Sequence, residues 1–257
     1  MKGNNAAAML REGKKILGTF FHSGSGLIMD AVGLSGLDFV IIDEEHSPIA
    51  VETAVDLIRA AEAHDMTAFV RIKEISRSSV LKLLDSGAKA LIVPAVGGIA
   101  DVKKLIEYSK YLPVGNRGMA MGRGADFGLN TLPLQEHWEY MNRETLLLPM
   151  CETLGFLEHV EDIVAMDGVD GIFVGPCDLS IALGKPGDLE DQEVRNAFRR
   201  VVDACKSKGK FSLIYAPNAE LGKIFSDMGF DGLANGIDVN MMLSSYLSMS
   251  KQFKAIL

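Results

Sequence analysis

Eight short apolar runs, each parted from the next by a helical or loop stretch, are the feature that most restricts how this chain can fold. They cover residues 16–20, 39–42, 68–72, 90–93, 146–149, 171–174, 211–214 and 232–234. Most are apolar without alternation, which suits strands covered on both faces rather than a half-solvated sheet. Helical periodicity fills 50–64, 77–86, 99–109, 155–166, 191–208 and 219–228. Strands alternating with helices predict a parallel sheet, and eight of them in 257 residues predict a closed (β/α)₈ TIM barrel, one domain over 1–257.

A short repeat supports the count. Gly36-Leu37-Asp38, Gly87-Ala88-Lys89, Gly168-Val169-Asp170 and Gly229-Phe230-Asp231 each stand before an even-numbered strand. Glycine there suits a helix end with positive φ, and a polar residue opens the strand. One segment breaks the rhythm. Residues 113–141 are glycine-rich, carry Arg117 and Arg123, and are expected as a long irregular loop on the active-site side. The last helix, 239–253, is rich in Met and Leu, and packs either on its own barrel wall or on a neighbouring subunit.

A net charge of -8 argues against nucleic acid or an anionic membrane as partner. Three cysteines, Cys151, Cys177 and Cys205, are too few and too irregular for a disulfide framework or a zinc site. No stretch is long and apolar enough for a membrane span, and the first residues do not read as a signal segment, so a cytoplasmic protein is expected.

Barrels of this class place chemistry where strands end. Asp43, Glu45 and His46 follow the second run, Arg71 ends the third, Glu152 follows the fifth, and Gly175-Pro176-Cys177-Asp178 follows the sixth. Glu152 and Asp178 can hold a hard divalent cation through oxygen, or merely cap the helices that follow. His46 suits a general base, with a structural histidine as the alternative. Arg71 would be a costly buried charge without an anion, which a substrate, an enolate, Asp43 or Glu45 can supply. Met150 shares a strand face with Glu152 and should point into the site. The amides of Cys177 and Asp178 can form an anion nest. Cys151 and Cys177 each precede a candidate ligand; either they are oxidised faster without metal, or they are inert. His22, His64, His137 and His159 read as surface or loop residues.

The motifs G-L-D-F-V-I-I-D-E-E-H-S-P, F-V-R-I, L-L-D-S-G-A-K-A-L-I-V-P, C-E-T and G-V-D-G-I-F-V-G-P-C-D-L-S occur in that order. Together they resemble the HpcH/HpaI aldolases, class II pyruvate aldolases, along nearly the whole chain. The resemblance implies a barrel whose last helix is swapped between subunits of a trimer or hexamer. It implies that Glu152 and Asp178 bind the metal, Mg²⁺, Mn²⁺ or Co²⁺, which would hold pyruvate. Arg71 would stabilise the enolate, and His46 would act as base, its basicity raised by Asp85 across a subunit boundary. The Cys177 and Asp178 amides would take the pyruvate carboxylate.

Three features depart from the family pattern. Met150 stands where a substrate-contacting Gln is usual, Tyr215 stands near a usually small or aliphatic residue that limits the aldehyde pocket, and the Arg117–Arg123 loop is longer and more basic. The expectation is a metal-dependent lyase cleaving a 4-hydroxy-2-oxo acid to pyruvate and an aldehyde, both small-molecule partners. An oxaloacetate decarboxylase, a CoA-ester lyase using the Arg117–Arg123 loop, and a non-catalytic carboxylate-binding barrel are the alternatives.

Overall fold

The computed structural model describes residues 2–129 and 132–257. Its elements run α1 (Asn5–Arg11), β1 (Ile16–Phe21), α2 (Gly26–Gly33), β2 (Phe39–Asp43), α3 (Val51–Ala63), β3 (Thr67–Arg71), α4 (Arg77–Asp85), β4 (Ala90–Val93) and α5 (Ile99–Ser109). They continue with a 3₁₀ segment (Arg123–Gly128), α6 (Leu134–Glu144), β5 (Leu146–Cys151), α7 (Leu154–Glu158), α8 (Val160–Val164), β6 (Gly171–Val174), α9 (Pro176–Ala182) and α10 (Gln192–Ser207). β7 (Phe211–Tyr215), α11 (Ala219–Met228), β8 (Gly232–Ile237) and α12 (Asp238–Lys254) complete the chain. The eight strands form a closed parallel barrel in sequence order. All eight expected strands are present; six continue a residue or more beyond the expected end or begin one earlier.

Two cores follow from the two-residue period of a strand. Phe20, Phe39, Ile41, Phe69, Leu148 and Phe173 fill the barrel interior. Their sequence neighbours, among them Val40, Ile42, Val70, Leu147 and Val174, pack outward against the helices. The base is closed by α1, which the run analysis missed. Asn4 caps it by accepting from Ala7 N, and Ala6, Ala7 and Leu10 join the interior core.

The four glycine turns behave alike. Gly36, Gly87, Gly168 and Gly229 have φ of 84, 107, 97 and 108°, a region costly for a side chain. The aspartates after three of them clamp the strand alongside. Asp38, Asp170 and Asp231 accept from Leu17 N at 2.8 Å, Leu147 N at 2.7 Å and Ser212 N at 2.8 Å. The motif is therefore structural, a staple at the base of the barrel.

Several expectations are corrected. The helix expected over 155–166 is two short helices, α7 and α8, separated at His159. The loop expected over 113–141 is partly regular, holding the 3₁₀ segment and the start of α6, while Asn130 and Thr131 lie outside the described residues. None of its described residues lines the cavity at the barrel mouth. Arg117 pairs with Asp85 at 2.7 Å, and Arg123 binds Glu62 and the Ser86 carbonyl, so both arginines tie the segment to α3 and α4. His137 is buried on α6 rather than exposed. α12 leaves its own barrel wall. Asp238 is its one buried residue, while Met241, Leu243, Tyr246, Leu247, Met249 and Phe253 are exposed.

Candidate active site

A cavity of about 380 Å³ opens at the C-terminal strand ends, lined among others by Phe20, His22, His46, Arg71, Met150 and Asp178. Cys177 and Tyr215 also line it, and Asp85 does not. A hollow of similar size, about 360 Å³, lies between Lys2, Glu62, Lys89 and Arg123 at the other end of the barrel, away from the strand termini that carry chemistry.

Parallel pairing sets Asp43 opposite Arg71. The guanidinium donates to Asp43 twice, Nε to Oδ1 at 2.8 Å and a terminal nitrogen to Oδ2 at 2.7 Å. Its third nitrogen lies 3.2 Å from Glu45. Burial alone would raise the Asp43 carboxyl, but the hydrogen bonds and charge of Arg71 outweigh it and hold Asp43 below its ordinary value. Burial raises Glu45 above its ordinary value even with Arg71 beside it. Phe20 lies under the guanidinium, 4.8 Å from its ring centre. Asp43 also accepts from the amides of Glu45 at 3.1 Å and His46 at 3.4 Å, which shapes the loop that carries His46. His46 itself is 62% exposed, with Glu45 3.5 Å away. Arg71 therefore meets Asp43 and Glu45 within its own chain, the salt-bridge alternative, yet three contacts leave two of its five N–H groups free.

The opposite wall is less restrained. Glu152 follows β5 and accepts from Ala95 N at 2.5 Å. Ala95 takes φ 54°, a strained value for alanine, to present that amide. Burial pushes the Glu152 carboxyl up to about 7, helped by Asp178 and Glu45 and opposed by Ala95 and Arg71. Asp178, on the first turn of α9, is exposed and has no hydrogen bond or ion pair among the described residues. Gly175 makes room for this arrangement, because a Cβ there would lie 2.6 Å from Glu152 Oε2. Two crowded, poorly partnered carboxylates in a cleft made by a missing side chain fit a hard divalent cation. Among the described residues no three acidic, histidine or cysteine side chains converge on one point.

Met150 faces the cavity as its strand position requires. Burial raises the Tyr215 hydroxyl. Cys151 is buried and its thiol is pushed far up by burial; Cys177 is exposed, its thiol raised by burial and then by Asp178. His22 was missed as a site residue. It directly follows the first strand, and the rule applied to the other strand ends would have found it.

A sequence profile of the HpcH/HpaI aldolase/citrate lyase family matches residues 17–245. The chain belongs to this family. A hydroxypyruvate/pyruvate aldolase of Delftia acidovorans is 28% identical over 255 residues, covering 99% of this chain and 94% of that protein. A 4-hydroxy-2-oxo-heptane-1,7-dioate aldolase of Escherichia coli is 26% identical over 252 residues, covering 98% and 95%. The HpcH/HpaI aldolase of Desulfitobacterium hafniense superposes with a TM-score of 0.89 at 26% identity, covering 96% of this chain and 95% of that one. The citrate synthase SbnG superposes at 0.85 with 28% identity, covering 97% and 98%.

Proposed function

We propose that the family member described here reversibly cleaves a 4-hydroxy-2-oxo acid to pyruvate and an aldehyde. The observation that carries this is the pairing of two loosely held carboxylates, Asp178 in the cavity and Glu152 behind its Gly175 wall, with the rigidly held Arg71. Glu152 and Asp178 would hold Mg²⁺, Mn²⁺ or Co²⁺, a Lewis acid that draws charge from the 2-oxo group.

The remaining work falls to the chain's own side chains. His46 removes the proton of the 4-hydroxyl, whose oxygen becomes the aldehyde carbonyl as the C3–C4 bond breaks; the electron pair of that bond moves into the enolate of pyruvate, which takes the proton back at C3. Arg71, fixed by Asp43, aims its free N–H groups at the enolate oxygen without reorganising as charge develops. The amides of Cys177 and Asp178 lie in the first turn of α9, where no helical carbonyl can receive them, and take the substrate carboxylate. Met150 and Tyr215 line the substrate's path. In its own chain Asp85 serves Arg117 and His46 is largely exposed, which is the arrangement expected if Asp85 acts on His46 of a neighbouring subunit. The apolar face of α12 supports a homo-oligomer, a trimer or hexamer with α12 exchanged between subunits. A CoA-ester lyase is disfavoured, since Arg117 and Arg123 are engaged elsewhere. No helix of the described residues is long and apolar enough to cross a membrane; with the acidic charge, this supports a cytoplasmic enzyme.

Exchange of pyruvate methyl protons for deuterium, followed by NMR, tests the reading. Exchange is expected with Mg²⁺ or Mn²⁺, and is lost with chelator and in Glu152→Ala by on the order of a hundredfold or more. Its absence in folded, metal-loaded protein would overturn the aldolase and redirect the search to oxaloacetate.

A further inference from the structure

His22 takes no part in the scheme above, although it stands in the same cavity. Two neighbours fix it. Its main-chain N–H and that of Ser23 donate to the two oxygens of Asp238 at 2.7 and 3.1 Å, and Asp238 is buried at the junction of β8 and α12. Its ring Nε2 lies 2.7 Å from Asp43 Oδ2, sealed from solvent and outside hydrogen-bonding orientation. The side chain as a whole is 17% exposed. What His22 offers the cavity is therefore the rest of the ring, where Nδ1 is the only polar atom.

Barrel order sets β1 four strands from β5 in a closed ring of eight, across from Glu152. On the proposed function the 2-oxo acid end lies at Glu152 and Asp178. The wall made by Phe20, His22, Tyr215 and Ile237 then faces the other end, the aldehyde. This wall is aromatic and apolar apart from the imidazole and the Tyr215 hydroxyl. It also has no spare cation. All three Arg71 nitrogens are already against Asp43 or Glu45, and no lysine or second arginine lines the cavity among the described residues. A carboxylate on the acceptor would find no lysine or second arginine to compensate it.

We propose that His22 is a specificity-determining residue that selects a short aldehyde carrying a hydroxyl and no carboxylate. Nδ1, the ring nitrogen not set against Asp43, accepts the acceptor's hydroxyl hydrogen. The inference rests on the aldolase reading.

Three two-carbon aldehydes test it in the addition direction with pyruvate and metal-loaded, full-length protein: glycolaldehyde, acetaldehyde and glyoxylate. The wild type should favour glycolaldehyde over both others in kcat/KM. The glycolaldehyde-to-acetaldehyde ratio should fall about tenfold in His22→Leu, the size of one neutral hydrogen bond. His22→Gln, which keeps an acceptor atom, should recover part of it. A ratio unchanged in both variants overturns the inference, as does a wild type that prefers glyoxylate, a result that needs no variant to fold. Pyruvate methyl exchange in the wild type separates the two readings. Without exchange the aldolase itself falls; with exchange and an unchanged ratio, only the role of His22 does.

Discussion

Asp43 and Glu152 are both carboxylates at barrel strand ends, and their surroundings could hardly differ more. Asp43 is fully enclosed, accepts from Nε and one terminal nitrogen of Arg71 and from two loop amides, and is held below its ordinary value. Glu152 has one amide, offered by a strained alanine, and is crowded by other acids. One side of the cavity is complete in the chain alone; on the proposed function, a cation completes the other. Stability should therefore depend on the first side and activity on the second, because sites held ready for a ligand are rarely optimal for folding.

The strongest way to break this contrast is to remove one carboxylate from each side. Asp43→Ala strands the buried Arg71 charge and should cost about 3–5 kcal/mol in urea unfolding. Glu152→Gln in metal-free protein should cost nothing or add stability, because a desolvated acid is replaced by a neutral isostere. Equal losses in the two variants would show that both sides are structural.

Glu44 sharpens the contrast at intermediate size. It lies between Asp43 and Glu45 in sequence, yet both its oxygens are buried with no hydrogen-bond partner among the described residues. Burial pushes its carboxyl from 4.5 up to about 7, against the pull of Lys73 and with the push of Glu52. The folded value exceeds the unfolded one, so stability is fully present below the unfolded value and declines as pH rises toward the folded one. Glu44→Gln should thus match wild type near pH 4 and exceed it by roughly 1–3 kcal/mol at pH 8. Denaturant titrations across that range check the sign; a difference independent of pH would mean that Glu44 has a partner.

The smallest effect belongs to Ala95→Gly. Relief of the positive φ and the greater freedom of glycine in the unfolded chain oppose each other, leaving a change below about 1 kcal/mol by calorimetry. A larger loss would show that the methyl group packs, and that the amide beside Glu152 is less strained than its φ suggests.

The barrel was legible because its signals are local: apolar runs, and glycines with positive φ followed by staple aspartates. α1 and α2 were not, since they are short and lack a long apolar stripe. Glu152, Asp178, Arg71 and Met150 were readable from strand ends and alternation; Asp178, Arg71 and Met150 line one cavity, and Glu152 lies beside its Gly175 wall. The Arg117–Arg123 segment was misplaced because loop length alone does not say which face of the barrel a loop covers. The pairing of Arg71 with Asp43 was one of several open possibilities until the β2–β3 register aligned them. His22 was lost because the strand-end rule was not applied to the first strand; its fixed position comes from Asp43 and Asp238, both distant in sequence.

The missing side chain at Gly175 sets a boundary for laboratory evolution. The acceptor wall of Phe20, His22, Tyr215 and Ile237 is made of side chains that can be exchanged in libraries to reach new aldehydes. Gly175 is different, because even one methyl group there would stand 2.6 Å from Glu152 Oε2 and 3.0 Å from Met150 Cε. A library that randomises the acceptor wall and holds residue 175 as glycine searches substrate range, whereas one that includes residue 175 spends its members on variants whose Glu152 has been pushed out of place.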